Sequence, residues 1–287
     1  MAGNRNWTFP NLLLLRMRDD SDCFGSAFRP ALLWLSAMAF AGEAQQPRWS
    51  NGNCMNKNLD AQQIFGFAVS LAFWWLILGN VQVAVGVLAL IFVHEMGHFI
   101  AARLRGVAVT MPTFTPFGAY VLTGPSSSVA EEAYVKLAGP LVGGVASIAA
   151  LALGTVIGSP MLVQVGTIGV FLNLFNMIPL DPFDGGGVAQ VFGRWTVVPG
   201  IAVFAYFFLI LAGGNPINMI FGAFIALQAY QAYQMRTQQW HARPSYFRST
   251  ASAKVGVGIG YLAVGGALAY VLLNPGFLPA LLTSVGL

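Results

Sequence analysis

The run Val83–Ala102 is apolar and long enough to cross a bilayer, yet it contains three ionisable residues, in the order His94-Glu95-Met96-Gly97-His98. Charged groups are expensive at that depth unless each is paired or neutralised. On a helix the two imidazoles, four residues apart, share one face and can clamp a single ion, with Glu95 beside them as a general base toward a water. A bound metal therefore explains what packing does not.

The rest of the chain is of the same kind. It has 287 residues, 56% hydrophobic and 8% charged, and its mean hydropathy of +0.67 lies outside the range of soluble domains. The expectation is an all-α polytopic membrane protein with about six to seven transmembrane helices and a small membrane-associated β segment between the second and third. Candidate spans are Ile64–Leu78, Val83–Ala102, Val135–Ile157, Met161–Leu180, Val197–Ala212, Ile217–Tyr233 and Val255–Leu273. The net charge of +4 does not point to nucleic acid, because the basic residues are spread over loops rather than forming one stripe. With a cytoplasmic start, Arg103, Arg105, Lys136, Arg194, Arg236, Arg243, Arg248 and Lys254 all fall on the inner side, as the positive-inside rule expects, and Trp74 and Trp75 fall near the outer interface.

Four segments follow from composition. Residues 1–61 form a polar N-terminal segment on the cytoplasmic side, 62–233 the intramembrane core, 234–254 a basic amphipathic linker lying along the inner surface, and 255–287 a C-terminal transmembrane helix and tail. Within the first segment Ala31–Ala41 is too short for an ordinary span. Arg29 and the Ala39-Phe40-Ala41 triplet allow a signal-peptide reading, but an interfacial segment is preferred because signals normally begin a chain. Cys23 and Cys54 fit no metal or redox spacing and read as ordinary thiols. Gly106–Ala130 alternates small, β-branched and aromatic residues, which suits short strands or a hairpin and, equally, a plain surface loop. The pairs Gly139/Gly143 and Gly256/Gly260 read as close helix packing with no ligand required.

A catalytic zinc site usually takes three protein ligands. The third histidine, His241, is in the linker, so a carboxylate is needed, and the candidates flanking the spans are Glu131, Glu132, Asp181 and Asp184. His98 lies roughly 7 Å from the cytoplasmic end of its span. The fourth span ends on the same side, so Asp184 arrives at a matching depth, with Pro179, Pro182 and the glycines interrupting the helix there. Asp181 shares that loop.

These motifs together resemble the site-2 protease family of membrane zinc peptidases. The resemblance rests on His94-Glu95-x-x-His98, Leu137-Ala-Gly-Pro-Leu141 and Asn176-x-x-Pro179 leading to Asp184-Gly185, and covers about Ile64 to Gly187. It implies one zinc ion held by His94, His98 and Asp184, Glu95 as general base, Asn176 binding substrate or oxyanion, and the loop at Phe117-Gly118 presenting an edge to the substrate backbone. Pro182 matches the family pattern, whereas Asp181 departs from it and keeps open which aspartate ligates. The implied partners are a single-span membrane protein substrate, the lipid bilayer and a regulatory membrane partner. Counting spans from a cytoplasmic start puts the site toward the cytoplasm, and the expected host is a bacterial inner membrane. Competing readings are a catalytically silent scaffold that keeps the fold, an Fe(II) site, and a metal transporter, which would need polar residues continuing across the bilayer.

Overall fold

The computed structural model describes residues 57–115, 118–206 and 216–284. The described residues all lie within 46–287. The expectations for Ala31–Ala41, Cys23, Cys54, most of the segment 1–61, and Phe117 lie outside the described residues.

The fold is mostly helical, as expected. It opens with α1 (Lys57–Leu78) and α2 (Val81–Leu104), joined by a tight turn at Gly79 with φ of 68°. Asn80 starts α2, its side chain accepting from the Gln82 and Val83 amides. A two-stranded antiparallel hairpin follows, β1 (Thr113–Thr115) and β2 (Gly118–Tyr120), with Thr113 opposite Tyr120 and Thr115 opposite Gly118. A further bridge joins Val109 to Thr123. The strand alternative for Gly106–Ala130 is thus the one adopted.

Next come α3 (Val129–Val156), α4 (Pro160–Asn176) and the short α5 (Asp184–Ala189). Two 3₁₀ turns lead to α6 (Val197–Tyr206), then α7 (Pro216–Ala242), α8 (Ala251–Leu273) and α9 (Phe277–Ser284). Among the described residues three helices are long and apolar enough to cross a membrane: α2, α3 and α8. Two others are apolar but shorter, Gln63–Leu78 in α1 and Pro160–Asn176, which is all of α4. The fourth segment was expected to run to Leu180. It stops at Asn176 because Pro179 cannot continue a helical hydrogen-bond ladder, and residues 177–183 turn back instead. The expected basic linker begins as helix, since α7 continues through Gln234 to Ala242.

Helices α2, α3 and α4 form the centre. On α2 the buried residues are Val83, Ala84, Val87, Leu88, His94, Glu95, Gly97, His98, Ala101 and Ala102, a stripe at helical period that carries the metal motif on its inward face. Val83, Val87 and Val165 close one end of this packing, and Ala101, Ala102, Val107 and Val135 the other. Helix α8 lies against α3 and α4 through Leu268 and Val170, and the Tyr261 hydroxyl donates to the Met177 carbonyl. Outward-facing side chains are strongly apolar, with Leu76, Leu262 and Leu104 at 83%, 73% and 75% exposure. Apolar surface on that scale calls for lipid.

The hairpin is pinned to α1. Ser70 donates to the Thr115 carbonyl, Gln63 Nε2 to Thr113 Oγ1 at 3.2 Å, and Phe67 meets the Phe114 ring edge-on at 5.1 Å. A side chain on Gly66 would lie 2.4 Å from the Phe114 carbonyl oxygen, so glycine permits this approach. This docking holds Gly118 beside the inward face of α2.

Candidate metal centre

Both imidazoles of α2 are oriented from behind. The Asn173 amide nitrogen donates to the Gly169 carbonyl at 2.8 Å and to Ser147 Oγ at 3.3 Å, which turns its oxygen toward His94 Nδ1, 2.8 Å away. His98 Nδ1 lies 2.8 Å from the Val135 carbonyl. An amide or carbonyl oxygen can only accept, so each ring in its neutral form carries its proton on Nδ1 and presents a bare Nε2 lone pair. These two nitrogens are 3.1 Å apart.

The third atom comes from Asp184, the first residue of α5. Its Oδ2 is 3.0 Å from His94 Nε2 and 3.1 Å from His98 Nε2. Three acceptor atoms therefore converge, nearly equidistant. With both imidazoles neutral, such an arrangement is satisfied in a buried site by a metal ion held between the three atoms. The size fits as well, because a tetrahedral ion bound at ~2.0–2.1 Å places its ligand atoms about 3.3–3.4 Å apart. His94, Glu95 and His98 also offer ligand atoms all within 4.8 Å of one another.

Glycines on α3 make room for these rings. A Cβ on Gly139 would lie 2.3 Å from His98 Nε2 and 2.8 Å from His94 Nε2, and one on Gly143 would lie 2.4 Å from Asn173 Oδ1. The close packing expected of this pair is present, and what it accommodates is the metal centre. The second pair behaves differently. Gly260 meets Leu137 at 2.9 Å, while Gly256 faces open space.

The two aspartates are separated by their partners. Asp181 forms an ion pair with Arg236 of α7, whose Nη1 also donates to the Gly186 carbonyl at 2.9 Å. Burial raises the Asp181 carboxyl above its ordinary range even against the Arg236 charge, and burial likewise lowers the guanidinium. Asp181 thus serves a contact between α7 and the turn before α5, away from the imidazoles. A parallel contact ties the linker to α3, where the Tyr246 hydroxyl donates to Glu132; burial and that carboxylate together push the phenol well above its ordinary pKa.

Glu95 is buried, at 9% exposure. With His94, Asn173, Asn176, Gly118 and Trp74 it lines a cavity of about 150 Å³. Asn176 thus shares this cavity with Glu95, and Gly118 of the hairpin borders it. Two residues went unrecognised in the sequence. Asn173 sits one helical turn before Asn176, and an amide inside an apolar run was itself a signal. Lys136 reads as a topological charge, yet its Nζ donates to Asp184 Oδ1 at 3.2 Å.

Comparison with known proteins agrees with this geometry. Residues 82–166 match the sequence pattern of Peptidase family M50, a stretch that includes the two histidines, Glu95 and the glycines behind them. A Synechocystis protein provisionally named zinc metalloprotease sll0528 is 31% identical over 171 residues, covering 48% of this chain and 45% of its own length. A Mycobacterium tuberculosis protein provisionally named zinc metalloprotease Rip3 is 31% identical over 139 residues, covering 43% and 33%. Zinc metalloprotease MJ0392 of Methanocaldococcus jannaschii is 28% identical over 105 residues, covering 35% and 31%. The chain spans less than half the length of each of these relatives. The resemblance to the site-2 proteases read from the motifs is thus borne out: residues 82–166, spanning α2 and α3 behind the two histidines, match Peptidase family M50.

Proposed function

We propose that this protein is an intramembrane zinc metalloprotease that hydrolyses a peptide bond within or near the transmembrane segment of a membrane protein. The observation that carries this is the convergence of His94 Nε2, His98 Nε2 and Asp184 Oδ2 at 3.0–3.1 Å. These three residues hold one zinc ion. When bound, zinc lowers the pKa of water and polarises a carbonyl oxygen.

The chain's own residues do the rest. Glu95 takes the proton from the attacking water and returns it to the leaving nitrogen, so one carboxylate serves as base and then as acid. Its burial beside the ligands keeps it close to both proton positions. Asn176 on the cavity wall donates to the substrate carbonyl as charge develops on its oxygen. Asn173 and the Val135 carbonyl keep both imidazoles in one tautomer through the cycle. A substrate entering as a helix has its carbonyls paired. Pairing an extended stretch with the hairpin near Phe117 and Gly118 would unwind it and offer one bond to the site.

The wider expectations are retained in the same reading. The chain crosses the bilayer with about six to seven helices in all, and the core 62–233 faces its site toward the cytoplasm of a bacterial inner membrane and takes a single-span protein as substrate, with or without a regulatory membrane partner.

The test is zinc content together with cleavage of a transmembrane-peptide panel by purified protein in lipid. Wild type should hold about one zinc and cleave, Glu95→Gln should keep its zinc and lose cleavage, and Asp184→Asn should lose zinc. A Glu95→Gln variant cleaving at the wild-type rate would refute the mechanism, and a wild type without zinc would favour the silent scaffold.

A further inference from the structure

Lys136 stands on α3, one turn before Gly139, with its side chain 38% exposed. Its partner is Asp184. The ammonium donates to Oδ1 at 3.2 Å, while Oδ2 of the same carboxylate meets both histidines. The lysine stem is fixed too, since a Cβ on Gly187 would come within 2.9 Å of its Cγ. The neighbouring acid on α3, Glu132, already accepts from Tyr246. Thus the two oxygens of Asp184 are divided between two cations' worth of binding: one for a fixed ammonium, one for the metal centre.

That division has a chemical consequence. A carboxylate near a metal can bind through one oxygen or swing to bind through both. Holding Oδ1 on an ammonium disfavours the second option and restrains the carboxylate plane. The ammonium's hydrogen bond to Oδ1 thus does more than balance charge, because it fixes which way that carboxylate faces. Its placement makes sense as an anchor for the ligand's geometry.

We propose that Lys136 is a positioning residue that commits Asp184 to the metal through Oδ2 alone. This rests on the metal assignment above, and its test separates the two. Wild type, Lys136→Met and Lys136→Arg, purified in detergent, are loaded with Co²⁺, whose visible absorption weakens as coordination number rises, and zinc release is measured in parallel against a chelator. Methionine keeps an aliphatic stem against Gly187, so the packing of α3 on α5 is preserved.

The expected result is a weakened Co²⁺ band and roughly tenfold faster zinc release in Lys136→Met, with both properties close to wild type in Lys136→Arg. Identical spectra and release rates in wild type and Lys136→Met would overturn the proposal, as would an arginine variant as impaired as the methionine one. A wild type that binds neither metal would instead bring down the metal assignment, and this proposal with it.

Discussion

Adding one methyl group at Gly139 should abolish metal binding without unfolding the protein. The new Cβ would lie 2.3 Å from both Cε1 and Nε2 of His98 and 2.8 Å from His94 Nε2. Ordinary contact begins at 3.4 Å, so the His98 ring must move by about 1 Å, well beyond the ±0.2 Å that a metal–ligand bond tolerates. Neither ring can retreat easily, because each is held from behind, at Val135 O and Asn173 Oδ1. The overpacking itself costs about 1–3 kcal/mol, against which alanine regains up to ~1 kcal/mol of helix propensity. Gly139→Ala should therefore melt within a few degrees of wild type stripped of metal, yet hold far less than one zinc. Gly266→Ala on α8 is the control, since nothing lies within 4 Å of its added methyl. The assay is zinc by atomic absorption after gel filtration, paired with thermal unfolding in detergent. A Gly139→Ala protein holding one zinc as tightly as wild type would show that the rings do not occupy the positions described.

Other perturbations discriminate further. Asn173→Ala leaves the His94 Nδ1–H without its acceptor and should weaken zinc binding 10–100-fold, read by chelator competition. Asp181→Asn should retain zinc while Asp184→Asn loses it; equal loss in both would contradict the pairing of Asp181 with Arg236. Arg236→Met leaves a half-buried carboxylate without its partner and should lower stability by about 1–3 kcal/mol, read as a fall in unfolding temperature. The folded state raises the Tyr246 pKa, so it holds that proton more tightly than the unfolded chain. Stability should be flat below the ordinary phenol value of about 10 and decline as pH rises beyond it, and Tyr246→Phe should remove the decline. A wild-type melting profile unchanged from pH 9 to 11.5 would refute that coupling.

How much of this was legible depends on the range of the signal. The pair His94/His98 and its Glu95 lie within one helical turn, so periodicity alone places them on a common face, and apolar surroundings mark them as functional. The hairpin was legible as one of two alternatives, because Thr113–Thr115 and Gly118–Tyr120 are short segments whose pairing depends on the α1 surface beneath them. Asp184 is reached only through matching depth and motif order, since 86 residues separate it from His98. Asn173 and Lys136 were passed over for opposite reasons. The amide looked like one more polar residue beside Asn176, and the lysine was already explained by membrane topology.

The sequence by itself determined that this chain is helical and membrane-embedded, because apolar runs of that length have no other stable solvent and their backbones no other way to satisfy their hydrogen bonds in lipid. It also determined where the metal motif lies. Only the tertiary structure decided which aspartate faces the imidazoles, which oxygen of it does so, and which tautomer each ring takes. Those choices are made by partners far apart along the chain, Arg236 for Asp181, Lys136 and the histidines for Asp184, Asn173 for His94, whose proximity no local periodicity encodes.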